Sequence, residues 1–142
     1  MASGKKDVAV VSASPEEGRH EALNGPFDET DLMHIDQALT SAQKYGGGLD
    51  FSVYVGDLGD PVRATAEELH SQLSAPVQSV LVAISPAQRQ LEIVTGSQAR
   101  DLIPDRSAAL VVFSMEAELG QGKLANAIVT GLRMLADTAA NA

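Results

Sequence analysis

The sequence predicts a three-layer α/β/α sandwich built around a small mixed β-sheet. Residues 80–84 are continuously apolar, which is typical of a strand covered on both faces, and such a strand requires helices on both sides of its sheet. Segments with helical and strand-like apolar spacing follow in the order helix, strand, helix, strand, strand, helix, helix. With 142 residues, 44% of them hydrophobic, the chain can bury the core of one domain, which we place at residues 27–142.

The N-terminal segment, residues 1–26, has no sustained apolar period, so we expect a flexible arm there. Val8–Val11 could instead add an edge strand to the sheet. The first clear helix follows Asp28, which is expected to cap its N-terminus. Gly46–Gly48 is expected to end this helix. Its apolar residues at helical spacing are Leu32, Ile35, Leu39 and Ala42.

A strand is predicted at residues 49–55, where apolar and polar side chains alternate. The loop after it predicts a second helix, with Asp60 as its N-cap and Pro61 at its first helical position. Apolar residues at helical spacing give that helix a core stripe, formed by Val62, Ala66, Leu69 and Leu73. The exposed side of the same helix is expected to carry Glu67, Glu68 and His70.

The buried strand at residues 80–84 is expected to turn back through a short hairpin at residues 85–89. The returning strand contains Leu91 and Ile93, and a short helical turn is expected after it, at residues 97–102. These strands complete the predicted mixed sheet.

Residues 105–119 allow two interpretations. Part of this segment has the composition of a buried strand. Asp105, however, follows a proline as a helix N-cap would, and the second half contains good helix formers. We therefore predict a buried helix that ends at Gly120 or Gly122. The last helix is clearer. Its core face consists of Leu124, Ile128 and Leu135, Gly131 allows close packing near it, and Val129 and Leu132 widen the apolar stripe.

The composition excludes several classes of protein. The chain has no Cys, which excludes disulfides, thiolate metal sites and cysteine nucleophiles. Its formal net charge of −9 repels nucleic acid and anionic lipid surfaces. No apolar stretch approaches the roughly 20 residues of a membrane-spanning helix, and the N-terminal run Val8–Val11 is shorter than the roughly 7–15 residues of a signal-peptide core. We therefore expect an acidic, monomeric, cytoplasmic protein without a direct membrane span.

Three aspartates, Asp57, Asp60 and Asp105, are candidate ligands for a hard cation. Asp57 and Asp60 follow a predicted strand and Asp105 precedes a predicted helix, so both segments could approach the same edge of the sheet. Carboxylates there would suit Ca²⁺ or Mg²⁺, which could polarise a phosphate ester. The alternative is that Asp60 and Asp105 only cap helices and that Asp57 lies in a turn.

Arg106 and Arg89 are candidates for binding an anionic substrate through paired N–H donors, and Arg63 and Arg100 belong to the same group. The alternative for each is an exposed arginine without a ligand. Glycine-rich phosphate loops and dinucleotide motifs are missing from the sequence, and we expect no nucleotide, flavin or haem. No set of residues stands out as catalytic.

A longer series of segments resembles a known family. A first helix leads into Phe51–Gly59, a second helix precedes Ser79–Ile84, a hairpin continues into Leu91–Gly96, and Gly120–Leu124 opens a last helix. This order resembles the TPM-domain family and, within it, an actinobacterial branch of unknown function. The resemblance covers roughly residues 27–137.

The resemblance implies the sandwich fold and suggests two functions. Some members are similar to acid phosphatases and bind divalent cations, a plant member assists photosystem repair, and others are accessory modules of membrane complexes. The first hypothesis is a non-catalytic accessory or binding module of a bacterial protein or envelope complex, with a protein partner in a membrane-associated assembly. The alternative is a divalent-cation-dependent acid phosphatase that acts on phosphomonoesters. Fold alone does not decide between them.

Overall fold

A computed structural model describes residues 9–12 and 27–142. The predicted order of elements is confirmed, and residues 105–119 form a helix. A 3₁₀ turn at Pro76–Gln78 leads into the third strand. In chain order the elements are β1 (Ala9–Ser12), α1 (Glu29–Tyr45), β2 (Asp50–Val55), α2 (Val62–Ser71), β3 (Ser79–Ser85), β4 (Gln90–Thr95), α3 (Ser97–Leu102), α4 (Asp105–Leu119) and α5 (Leu124–Ala140).

The described strands form one mixed sheet in the order β1-β2-β3-β4. Strands β2 and β3 are parallel, with Phe51 opposite Val80, whereas β1 and β4 run antiparallel to their neighbours. Every residue of β3 is buried, which confirms a strand covered on both faces. Strand β1 confirms the edge strand considered for the N-terminal segment. The rest of the arm predicted for residues 1–26 lies outside the described residues.

The two faces of the sheet pack against two separate layers of helices. On one face, side chains such as Val53 and Val82 join a large apolar core with α1, α4 and α5. On the other face, Leu81 and Val94 pack with Ala66 of α2 in a smaller cluster. Alternate residues of β2, β3 and β4 thus supply the two cores. This arrangement confirms the predicted three-layer sandwich.

Helix α1 begins and ends as its sequence predicts. The Asp31 N–H donates to Asp28 Oδ1 at 2.8 Å and the Asp28 N–H donates to Asp31 Oδ2 at 3.3 Å, which is a reciprocal cap. At the other end, a Cβ on Gly46 would lie 2.5 Å from the Ala42 carbonyl oxygen and 2.6 Å from the Phe51 ring. Glycine is therefore required there by close packing.

The start of α2 and the position of His70 differ from the predictions. Helix α2 begins at Val62 with Pro61 in the N-cap position, and no side chain of the described residues caps it. The Thr65 N–H donates to the Pro61 carbonyl, so Asp60 lies one residue too early to act as the N-cap. His70 is buried rather than exposed, and its Nε2 forms a hydrogen bond of 2.9 Å with the Ser79 carbonyl oxygen.

Helix α4 is only half buried, which corrects the prediction of a buried helix. Its N-cap position is held by Pro104, and Asp105 is the first helical residue rather than a cap. Leu110 and Phe113 remain 62% and 73% exposed, respectively. The helix ends before Gly120, as predicted. Because α4 lies at the end of its layer, only one side of it has helical neighbours.

The described helices are shorter than a bilayer requires. The longest of them, α1 and α5, have 17 residues each, whereas a spanning helix needs about 20 apolar residues. Within residues 9–12 and 27–142, no helix is both long and apolar enough to cross a membrane.

Candidate functional site

The carboxyl ends of the parallel strands β2 and β3 are the first place to look for a site, because ligands of open α/β sheets bind there. The loop after β2 and the β3–β4 hairpin meet at this edge. Gln88 of the hairpin joins them: its Nε2 donates to the Gly59 carbonyl at 2.8 Å, and its Oε1 accepts from the Leu58 N–H at 2.8 Å. The loop is therefore held in place by a side-chain amide.

Asp57 contributes to the same loop through local hydrogen bonds. Its Oδ2 accepts from the Gly59 N–H at 3.3 Å, and its backbone carbonyl accepts from the Tyr54 hydroxyl at 2.8 Å. Burial, and then the negative charge of Asp57, raise the pKa of Tyr54. Asp57 and Asp60 are both exposed at this edge. The turn interpretation of Asp57 therefore has direct support from its hydrogen bonds.

Asp105 lies at the opposite end of the sheet from Asp57 and Asp60. Strand β4 runs back along β3 and ends at Thr95, which is opposite Val80 near the start of β3. Helices α3 and α4 follow from that end, so the expectation of one shared edge is wrong. Among residues 9–12 and 27–142, no group of three His, Cys, Asp or Glu side chains is placed to hold a metal ion. Any cation site at Asp57 and Asp60 would have to form without Asp105.

The two predicted substrate arginines are also separated. Arg89 is exposed in the β3–β4 hairpin with a φ of 55°, and it lines an open cleft of about 600 Å³ together with Glu116 and Gly120. Arg106 is exposed in the first turn of α4, at the other end of the sheet. The two side chains therefore cannot hold one anion together.

Arg63 and Arg100 bind groups of the protein itself. Arg63 donates to Glu67 and Glu92, each at 3.0 Å, and Arg100 Nε lies 3.7 Å from Asp105. Burial opposes the charge of Arg63, but the hydrogen bonds and charges of Glu92 and Glu67 outweigh it and raise the pKa of the guanidinium. Both arginines also donate to carbonyls of β4.

A second open groove, of about 740 Å³, lies between α1 and α5. Its lining mixes apolar and polar side chains, and the polar ones include His34, Arg133 and Asp137. Glu118 of α4 closes one end, where its Oε2 accepts from the Thr130 hydroxyl at 3.3 Å. No local pattern in the sequence indicates this groove, because α1 lies far along the chain from α4 and α5.

The most distinctive surface is the solvent side of α4. We define the α4 outer face by Ala109, Leu110, Phe113 and Ala117, which are all exposed. These residues lie opposite the buried side of the helix, formed by Ala108, Val111 and Met115. Leu110 and Phe113 are one turn apart and expose more than half of their surface. The sequence shows apolar residues on every side of this helix, but only the packing shows which side is free.

The element order and sheet topology define an α/β/α sandwich domain. The chain belongs to the family described as a domain of unknown function (DUF5130), which matches residues 4–136. The match begins well before residue 27, so the family includes the segment that contains β1.

Two relatives agree with this assignment, and a solved structure shares the fold. Two uncharacterized proteins from two strains of Mycobacterium tuberculosis are each 34% identical over 114 residues, covering 80% of this chain and 68% of their own. The N-terminal domain of a protein from P. gingivalis, solved by NMR in solution, has a TM-score of 0.70 at 16% identity. That likeness covers 80% of this chain and 76% of the solved one, and it supports the fold alone.

Proposed function

We propose that this chain is a non-catalytic binding module that docks a protein partner on the α4 outer face. The observation that carries the proposal is the exposure of Leu110 and Phe113, at 62% and 73%, on one side of one helix. Exposed apolar residues that stand singly are ordinary, but a contiguous apolar helix face is typical of an interaction surface. Phenylalanine and leucine one turn apart provide anchors of the kind that a partner helix uses.

The positions of the carboxylates favour binding over phosphoester hydrolysis. The phosphatase alternative needs several carboxylates around one cation, and Asp105 lies far from Asp57 and Asp60 along the sheet. Hydrogen bonds already fix the loop that carries Asp57: Asp57 accepts from the Gly59 N–H, and Gln88 donates to the Gly59 carbonyl. No observation on the described residues favours the phosphatase, so the binding module is the proposal.

The charge of the molecule favours a basic, amphipathic helix as the partner. The whole chain carries a formal net charge of −9, and exposed Glu116 borders the α4 outer face. Such a field attracts a cationic partner and repels anionic membranes and nucleic acid. Arg106, at the first turn, is the local exception to the acidic character of this surface. The partner should also be a helix with an apolar face, because two helices pack when the apolar side chains of one fill the grooves of the other.

The resemblance to the TPM-domain family supports an accessory role in a larger assembly. Accessory modules of membrane complexes occur in that family. In this proposal the chain is a cytoplasmic monomer until it meets its partner in a membrane-associated complex. It requires no Ca²⁺ or Mg²⁺ for docking.

A titration with designed peptides tests the docking surface. The probe is an amphipathic helical peptide of about 15 residues, with leucine on one face and lysine on the other, added while the backbone amide shifts of the protein are recorded. We expect shifts confined to residues 105–119. A peptide with glutamate in place of lysine should bind at least about ten-fold more weakly, because its charge opposes that of the protein.

Phe113→Ser is the decisive variant, and Tyr45→Ser is its matched control. Both residues are exposed aromatic side chains, at 73% and 63%, but Tyr45 ends α1. Removing a central aromatic anchor typically weakens binding by roughly 10–100-fold, so we expect this loss for Phe113→Ser alone. Shifts scattered over the acidic surface and insensitive to Phe113→Ser would refute the proposal. So would a concentration-dependent dimer that already covers α4 in the isolated protein.

A further inference from the structure

Strand β4 forms one edge of the described sheet, and alternate backbone groups of it point away from β3. The Gly96 N–H donates to the Ser79 carbonyl at 3.0 Å, so these two residues form a hydrogen-bonded pair. Bonded and non-bonded pairs alternate along an antiparallel ladder, so the pairs that contain Thr95 and Ile93 are non-bonded. The N–H and C=O groups of Thr95 and Ile93 therefore point to the outer edge.

Two arginines occupy this outer edge. Arg63 of α2 donates from Nη1 to the Ile93 carbonyl at 3.1 Å, and Arg100 of α3 donates from Nη2 to the Thr95 carbonyl at 2.8 Å. An added strand would bond to these same carbonyls. Its backbone would lie about 4.7–4.9 Å from β4, in the space that the two guanidinium groups fill.

Acidic side chains hold both arginines at the edge. Arg63 lies 3.0 Å from Glu67 on its own helix and 3.0 Å from Glu92 of β4, and Arg100 lies 3.7 Å from Asp105. An incoming strand would have to displace the guanidinium groups from these carboxylates and from the carbonyls together. An open edge without such protection is a template for pairing with another chain.

We propose that Arg63 and Arg100 keep closed a strand-pairing surface that fits a second copy of this chain. With both arginines in place, the β4 edge stays unpaired. Without them, β4 pairs antiparallel with β4 of the second copy, and the two sheets become continuous.

The geometry of β4 favours a second copy as the occupant. An antiparallel pair of identical strands is two-fold symmetric, so each molecule offers the surface that the other needs. In the register centred on Ile93, that residue faces its own copy and exchanges both outward hydrogen bonds with it. Glu92 then lies opposite Val94 of the second copy rather than opposite another glutamate, which avoids repulsion between like charges.

The double variant Arg63→Met with Arg100→Met tests this proposal by sedimentation over a range of protein concentrations. Methionine keeps an unbranched side chain but has no N–H donors. The matched control is Arg106→Met with Arg133→Met, which removes the same charge from two exposed positions on α4 and α5. We expect the first variant to form dimers with an association constant at least about ten-fold above that of the control and the wild type. Amide exchange at Ile93 and Thr95 should slow in the dimer.

Two results would overturn the proposal. One is a folded double variant that sediments like the control at every concentration. The other is association without slower amide exchange at Ile93 and Thr95, because that would place the contact elsewhere. If far-ultraviolet circular dichroism shows that the double variant does not fold, Arg100→Met alone frees the Thr95 carbonyl and leaves the Arg63 contacts intact. That single variant should also dimerise, with a smaller association constant than expected for the double variant. If it stays monomeric at every concentration, the proposal is contradicted.

Discussion

Helices α4 and α5 are both rich in apolar residues, but they are buried to very different extents. Helix α5 packs against both α1 and α4, and seven of its residues are buried. Helix α4 packs against α5 and β4, and only three of its residues are buried, whereas Leu110 and Phe113 are exposed. The place of a helix in its layer, and not its apolar content, therefore decides how much of it is covered.

The contact between the two helices depends on a small residue in α5. Gly131 is buried, and a Cβ added there would overlap the sulfur atom of Met115 in α4. The missing side chain lets the helices approach closely, and Met115 itself is fully buried. The inner side of α4 is thus closely packed, while its outer face remains free.

A matched pair of leucine substitutions should show the largest difference between the helices. Leu132→Ala in α5 removes a fully buried side chain, and we expect it to lower the free energy of unfolding by about 2–5 kcal/mol. Leu110→Ala in α4 changes an exposed residue and should alter the free energy of unfolding by less than about 0.5 kcal/mol. Urea denaturation measures both. Equal losses would show that α4 is covered in the isolated protein.

The effect of Gly131→Ala on the free energy of unfolding should change sign when Met115 is replaced by alanine. In the wild type, Gly131→Ala forces Met115 to move and should cost about 1–3 kcal/mol, because overpacking is unfavourable. In a Met115→Ala background the overlap disappears. The same change should then stabilise the protein by up to about 1 kcal/mol, since alanine is the better helix former.

The four proteins of this double-mutant cycle can be compared by thermal and urea unfolding. If Gly131→Ala is equally costly in both backgrounds, the close approach of α4 and α5 does not depend on Met115.

The outer face of α4 should contribute to binding and not to stability. We expect Phe113→Ala to change the free energy of unfolding by less than about 0.5 kcal/mol, because the side chain is mostly exposed. Met115→Ala, two residues further along the same helix, should cost about 2–5 kcal/mol. Urea unfolding of the two variants measures the contrast between the two sides of α4. A large loss for Phe113→Ala would assign that side chain a structural role instead.

Amide hydrogen exchange should give the smallest contrast between the helices. Buried amides in the middle of α5, such as that of Leu132, should open only with global unfolding. Amides on the outer side of α4, such as that of Phe113, should exchange faster through local opening. Similar protection across both helices would mean that α4 and α5 unfold only as one unit.

Much of the fold follows from local sequence patterns. The carboxylate of Asp28 caps α1 because the geometry of a capping box is contained within four consecutive residues. The continuous apolar run of β3 predicts helices on both faces because a strand of that composition must be covered on each side. Local patterns do less well for α2, where the chain begins the helix one residue later than the Asp60 cap would require.

The candidate sites depend on contacts that no local pattern contains. Asp105 was expected beside Asp57 because both segments flank the sheet, but the antiparallel return of β4 carries Asp105 to the other end. His70 was expected on the exposed side of α2, but the start of β3 provides the Ser79 carbonyl beside it. Each error arises from the direction or position of a distant segment.

Local sequence patterns are enough to predict the three-layer class, the capped start of α1 and the acidic net charge, because spacing, caps and charge are local or additive properties. The tertiary structure alone decided that α4 lies at the end of its layer with Phe113 exposed. It also decided that Arg63 and Arg100 contact the edge of β4. The physical reason is the same in both cases: exposure and partners depend on which elements become neighbours, and neighbours far apart in sequence are chosen by the packing of the whole chain.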